Sequence, residues 1–191
     1  MNIRKTANLL MNFAIKRLAE VLGIFIFLGG IMLLAALLTY SPEDPNFIFP
    51  ENSEIKNLLG FQGSFASDLL FQSIGLMAYP LAITFIVTGI NVFRVKEFFL
   101  IIENTFFATL YCLFGTLFIT YFFSKTFTLY INGNGGFVGN YLNQTFFNSL
   151  IQINENIFFY LLIVLIVFFF LTSVNFSPKY FHLSIKKILK I

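Results

Sequence analysis

Tryptophan is absent, cysteine and histidine occur once each, and only 11% of the 191 residues are charged. Each scarcity closes a class of explanation. A soluble domain carries about 25% charged residues, so this chain is too apolar to face water on all sides. Cys112 cannot form an intramolecular disulfide alone. It lies inside an apolar run, where a thiol stays protonated, and it reads as a packing residue rather than a nucleophile. His182 has no cysteine or carboxylate cluster beside it, so no metal site is expected. A formal net charge of +3 is too small to argue that this region binds nucleic acid. Walker A, H-E-x-x-H and G-x-S-x-G patterns are missing, as is any pair of carboxylates buried together. We therefore expect no enzyme activity and no cofactor.

What the chain has is apolar sequence, 58% of its residues, arranged in blocks. The 29 phenylalanines accompany abundant Ile, Asn and Lys, as AT-rich codon usage would produce, and no aromatic binding site is read from them. Four blocks are long enough to cross a hydrocarbon core of about 30 Å at 1.5 Å per helical residue. They lie at about 21–40, 69–93, 98–123 and 157–174. The expected fold is an all-α membrane protein with four transmembrane helices and flanking amphipathic helices.

Residues 1–20 precede the first span as a polar-striped, basic segment. Asn8, Asn12, Lys16 and Glu20 recur every four residues opposite Leu10, Phe13, Ala14 and Leu18. The apolar run that follows is too long for a signal peptide and ends in Leu37-Leu38-Thr39-Tyr40, so it reads as an uncleaved anchor. Small residues (Gly23, Gly29, Gly30, Ala35 and Ala36; Gly75, Ala78 and Ala82; Ala108, Cys112 and Gly115) mark close helix contacts on spans one to three. Self-association through these faces is expected. The fourth span has no small face and should meet more lipid than the others.

Within the second span, Ser67 or Asp68 is a candidate N-cap and Pro80 a candidate bend. Capping is preferred for Asp68 over a proton relay. Glu103 is the single ionisable residue of the third span. Its place near Arg94 and Lys96 suggests pairing with one of them or access to the interface. In the second long loop, Asn132-Gly133-Asn134-Gly135-Gly136 is a turn cluster without the Lys-Ser/Thr of a phosphate loop. Phe137, Val138, Tyr141, Leu142, Phe146 and Leu150 then predict one uncharged amphipathic helix. Residues 177–191 form a basic amphipathic tail suited to anionic lipid.

Charge distribution gives the topology. The N-terminal segment, the 94–97 loop and the tail hold ten Lys/Arg (4 + 2 + 4), against one each in loops 41–67 and 124–156. Basic loops stay cytoplasmic, so both termini are expected inside and the two long loops outside.

The chain is organised around residues 39–47, Thr-Tyr-Ser-Pro-Glu-Asp-Pro-Asn-Phe, where two prolines must stop the first helix. Tyr40, Ser41, Pro42, Asp44 and Pro45 are followed by Gly60, Gly63, Ser64, Asp68, Gln72 and Gly75, then by Gly135, Gly136 and Gly139. Together these resemble the N-terminal four-helix membrane domain of the FtsK/SpoIIIE DNA translocases, over roughly residues 15–176. The resemblance implies a membrane anchor at the division septum of the bacterial inner membrane. It also implies oligomerisation and contacts with division proteins, in service of cell division and chromosome partition. In that family a cytoplasmic ATP-driven motor follows the anchor. This chain ends at Ile191 without one, which leaves a fragment, a split gene and a stand-alone anchor open. A small polytopic transporter or channel subunit is the alternative from another class; for it, Gln72, Glu103 and Asn104 are the polar groups on offer.

Overall fold

The computed structural model describes residues 3–45, 54–124 and 131–176, and every regular element among them is helical. The basic tail with His182, and also Asn46, Phe47, Glu51 and Lys125, lie outside the described residues. In chain order the helices are α1 (Ile3–Leu38), α2 (Gly60–Ile74), α3 (Ala78–Val95), α4 (Phe99–Phe122), α5 (Gly136–Asn143), α6 (Phe146–Ile153) and α7 (Glu155–Ser173). A single 3-10 turn, Gly75–Met77, joins α2 to α3. Four stretches are long and apolar enough to cross a membrane: Asn8–Leu38, Gly60–Val95, Phe99–Phe122 and Glu155–Ser173.

The polar segment before the first span is not a separate helix. Residues 3–20 continue into the span as one rod of 36 residues, about 54 Å long at 1.5 Å per residue. Its end is capped locally, with the Thr39 amide and hydroxyl both donating to the Ala35 carbonyl at 3.1 and 2.8 Å.

α1 packs on α3 backbone to backbone. A Cβ on Gly23 would lie 2.6 Å from the Phe93 nitrogen, and one on Gly30 would lie 2.7 Å from that of Ile86. One on Gly89 would overlap the Phe27 nitrogen. Without hydrophobic pressure between helices in lipid, such close approach is what makes dispersion contacts count. Farther along, Leu37, Phe71, Ala78 and Ala82 form a buried cluster. The small faces of α1 and α3 are thus used inside the chain, whereas Gly29 faces open space.

α4 packs instead on α7, through rings. Phe107 and Phe114 stack on Phe169 at 6.1 and 5.8 Å, Tyr111 meets Phe170 edge-on at 5.5 Å, and Phe118 meets Phe159 at 5.3 Å. Whatever supplied so many phenylalanines, this interface uses them for packing. α7 is nonetheless the least buried of the four candidate spans.

The second span departs most from expectation. Its helix begins at Gly60, with Leu59 as N-cap and no side-chain capping bond. Ser67 and Asp68 are therefore mid-helix and buried, not caps. The break falls at Gly75, whose φ is +56°, and not at Pro80. Pro80 is the third residue of α3, where its missing N–H would have had no helical partner anyway. The Tyr79 hydroxyl donates to the Leu37 carbonyl at 3.4 Å, so α3 begins level with the end of α1. α2 consequently lies across that end of the bundle rather than extending α3. The single amphipathic helix expected after the glycine cluster is likewise two, α5 and α6, separated at Gln144–Thr145.

Candidate functional site: the capped end of the bundle

The sequence motif folds into one polar seam over the ends of α1, α3 and α4. Pro42 occupies the second position of a turn closed by the Asp44 amide on the Ser41 carbonyl at 3.2 Å, the place that favours proline's fixed φ. The turn delivers Asp44 into the interior, 1% exposed. There its carboxylate accepts the amides of Lys56 and Asn57 at 2.8 and 2.9 Å. A buried charge needs such donors. Asn57 donates to the Ala36 carbonyl at 2.9 Å and accepts the Leu59 amide at 3.1 Å. Gly60, at φ +63°, closes the next turn on the Asn57 carbonyl. Gly63 is glycine because a Cβ there would overlap Asn57 Oδ1.

α2 is then pinned along its length. Ser64 donates to the Pro45 carbonyl at 3.1 Å, and the Tyr40 hydroxyl donates to Asp68 Oδ1 at 3.0 Å. The Tyr40 and Phe71 rings meet edge-on at 4.9 Å. One turn on, Gln72 joins α2 to the glycine cluster. Its side-chain oxygen accepts the Asn132 amide and its carbonyl accepts Asn132 Nδ2, both at 3.2 Å. The second bond satisfies a carbonyl that the break at Gly75 would otherwise strand. The Leu76 amide donates to the Asn134 carbonyl at 2.9 Å.

The glycines leave no room for side chains. A Cβ at Gly75 would overlap the Asn134 carbonyl; at Gly135 or Gly139 it would overlap Thr120 Oγ1. Gly136, at φ +65°, lies against Ser73. Tyr40, Ser41, Asp44, Pro45, Gly60, Gly63, Ser64, Asp68, Gln72, Gly75, Gly135, Gly136 and Gly139 therefore belong to a single assembly, with Pro42 exposed on its rim. Most are buried and bind one another. Among the described residues of the first loop, the acidic groups facing solvent are Glu43 and Glu54. Glu43 pairs with Lys56, whose ammonium holds the Glu43 carboxyl below its usual range by hydrogen bonding; Glu43 in turn raises the Lys56 pKa.

At the opposite end a second polar group ties α3, α4 and α7 together, and of its members the sequence analysis singled out Asn104 alone. Thr84 bonds to the Tyr111 hydroxyl at 2.9 Å and to Ser173 at 3.3 Å. Asn104 donates to Thr88 at 3.0 Å and to Asn175 Oδ1 at 2.9 Å. Asn91 reaches Asn175 Oδ1 at 3.1 Å. Isolated hydroxyls in apolar runs carry no sequence signal, so only the packing reveals this network. Of the two alternatives expected for Glu103, the ion pair is not made among the described residues: Lys96 bonds Glu20 instead, as does Arg17 at 2.6 Å, and Glu103 is half-buried.

Among the described residues no three His, Cys, Asp or Glu are placed to hold a metal ion. Cys112 is free and buried beside Met77, Ala108 and Tyr111. What the geometry builds is a rigid polar lid on an apolar bundle.

Residues 15–183 match the family model described as the 4TM region of DNA translocase FtsK/SpoIIIE. The chain belongs to that family. It is 38% identical over 69 residues to the DNA translocase FtsK of Caulobacter vibrioides, covering 36% of this chain and 8% of that protein. With the DNA translocase FtsK of Rickettsia bellii the identity is 32% over 78 residues, covering 41% and 10% respectively. With that of Azospirillum brasilense it is 36% over 73 residues, covering 37% and 12%. The chain thus spans only 8–12% of the length of these relatives. The match lies in their N-terminal membrane region, not in the motor domain. No solved structure matches the chain. The family resemblance drawn from the proline and glycine motifs is thereby established, and the protein is a multi-pass membrane protein of this 4TM family.

Proposed function

We propose that the chain is the membrane anchor and interaction domain of an FtsK-like DNA translocase acting in cell division and chromosome segregation. Family membership over residues 15–183 is the observation that carries this reading. In this reading both termini are cytoplasmic, residues 1–20 and 177–191 flank the membrane domain at 21–176, and the capped end faces outward. Ten basic residues against two support that orientation. The anchor binds membrane lipid, no nucleic acid, and neighbouring copies or septal proteins. Since Gly23, Gly30, Gly89 and Gly115 are occupied within the chain, copies would meet through other faces.

A transporter or channel subunit is less well supported. The buried polar network consists of neutral side chains bonded to one another, whereas ionisable groups within the spans mark the ion pathways of pumps and transporters. The orientation is tested with alkaline phosphatase fused after Ile191 or inserted after Glu54. Activity is expected only for the insertion at Glu54; an active fusion after Ile191 contradicts the reading.

A further inference from the structure

At the end opposite the cap, α1 and α3 leave a cleft of about 360 Å³ lined by Gly23, Ile24, Phe27, Gly89, Ile90, Phe93 and Arg94. We propose that this cleft is a binding site for one anionic phospholipid, with an acyl chain along Ile24, Phe27 and Ile90 and the phosphate on Arg94.

The first argument is shape. The glycines bring the two backbones together, so the flanking Ile24 and Phe93 side chains stand as walls over a floor of main chain. Only two helices bound the cleft, and Ile24 and Phe93 are each 46% exposed on its outer side. In a membrane that side meets lipid.

The second argument is charge. Arg94 is exposed and makes no ion pair among the described residues. Its cationic neighbours differ: Arg17 and Lys96 both bond Glu20. Glu97 and Glu103, the other carboxylates near this end, make no ion pair with Arg94 among the described residues, and the ten Lys/Arg of this end against these three glutamates leave it with surplus positive charge. The segments outside the described residues at this end, 1–2 and 177–191, contain no Asp or Glu. A guanidinium offers a planar fork of N–H donors that fits a phosphate. Here it sits at the mouth of an apolar cleft, and an anionic phospholipid supplies both parts.

The orientation proposed above puts this end in the cytoplasmic leaflet, where anionic lipids attract basic side chains. Binding in detergent does not depend on orientation, so failure of this proposal and failure of the topology are separately visible.

The test is native mass spectrometry of the full chain in detergent, titrated with phosphatidylglycerol or, as the control with acyl chains and no phosphate, diacylglycerol. One basic contact near a membrane surface contributes about 1 kcal/mol, so Arg94→Ala should lower phosphatidylglycerol affinity about five-fold. Lys16→Ala, an equal loss of charge at an exposed site on α1 outside the cleft, should leave it unchanged. Ile24→Trp, which fills the cleft and keeps Arg94, should lower adducts of both lipids. Diacylglycerol adducts unchanged in Arg94→Ala would show that this variant keeps its fold and its cleft. Equal losses in Arg94→Ala and Lys16→Ala would mean unlocalised electrostatic attraction and overturn the proposal. So would adducts that persist in Ile24→Trp, or lipid-free protein found as oligomers that Arg94→Ala dissolves, since a second copy would then fill the cleft.

Discussion

The Tyr40 hydroxyl lies 3.0 Å from Asp68 Oδ1, joining the residue that ends the first apolar block to the middle of α2. That bond links the two halves of the family motif, the proline segment and the serine–aspartate segment. Asp68 also receives Gln72 Nε2 at a marginal 3.5 Å. Removing the hydroxyl by Tyr40→Phe should destabilise the folded protein by about 1–2 kcal/mol, a hydrogen bond to a charged group in a half-buried setting. Denaturant titration in mixed micelles measures it. A double-mutant cycle with Asp68→Asn should return a coupling energy above zero, and strict additivity would mean that the bond contributes nothing.

The glycines make a sharper contrast. Gly29 has nothing near its missing Cβ, whereas the next residue, Gly30, faces the Ile86 backbone. Gly29→Ala should stabilise α1 by up to about 1 kcal/mol through helix propensity. Gly30→Ala should destabilise by about 1–3 kcal/mol, because α3 must move away. Equal effects of the two substitutions would contradict the close α1–α3 crossing.

The break in the second span rests on Gly75. It combines φ +56° with the Asn134 carbonyl lying where a Cβ would go. Gly75→Ala should cost about 2 kcal/mol or more, from left-handed strain plus displacement of the 132–135 segment. Gly133 also has positive φ, at +74°, but an open surrounding. Gly133→Ala should therefore show the strain alone, about 1–2 kcal/mol. The same unfolding assay compares them.

The exposed pair Glu43–Lys56 should matter little. The depressed Glu43 pKa means that its contribution exists above the unfolded carboxyl pKa and is lost as pH falls through the folded value. The raised Lys56 pKa means that its contribution exists below the unfolded amine pKa and is lost as pH rises through the folded value. Both groups are fully exposed, and solvent and salt screen them. Glu43→Gln should leave the melting temperature at neutral pH and moderate salt unchanged. Asp44→Asn, by contrast, weakens a buried acceptor of two amides and should lower it clearly.

The long apolar blocks were legible because a membrane imposes length and composition on them, and α4 and α7 lie close to where those blocks suggest. The break inside the second apolar block was not legible, for a physical reason. Leu70, Phe71 and Ile74 are as apolar as any spanning residues, yet they pack with Tyr40 and Leu37 over the bundle end. The break depends on Gly75 meeting Asn134, a contact between distant parts of the chain that no local pattern encodes. Ser67–Asp68 looked like a cap because short polar residues before an apolar run usually are; here Ser67 bonds back to the Gly63 and Ser64 carbonyls of its own helix, and Asp68 accepts the distant Tyr40 hydroxyl. The residues of the motif were all visible in the sequence. That they form one assembly, largely buried, became visible only from the contacts among them.

The central claim is that this chain anchors an FtsK-like protein at the division site. The most direct measurement is fluorescence imaging of the full chain, fused after Ile191 to a fluorescent protein, in dividing Caulobacter vibrioides. The account predicts signal in the membrane and enriched at mid-cell in constricting cells. Signal spread evenly around the membrane throughout division would contradict it.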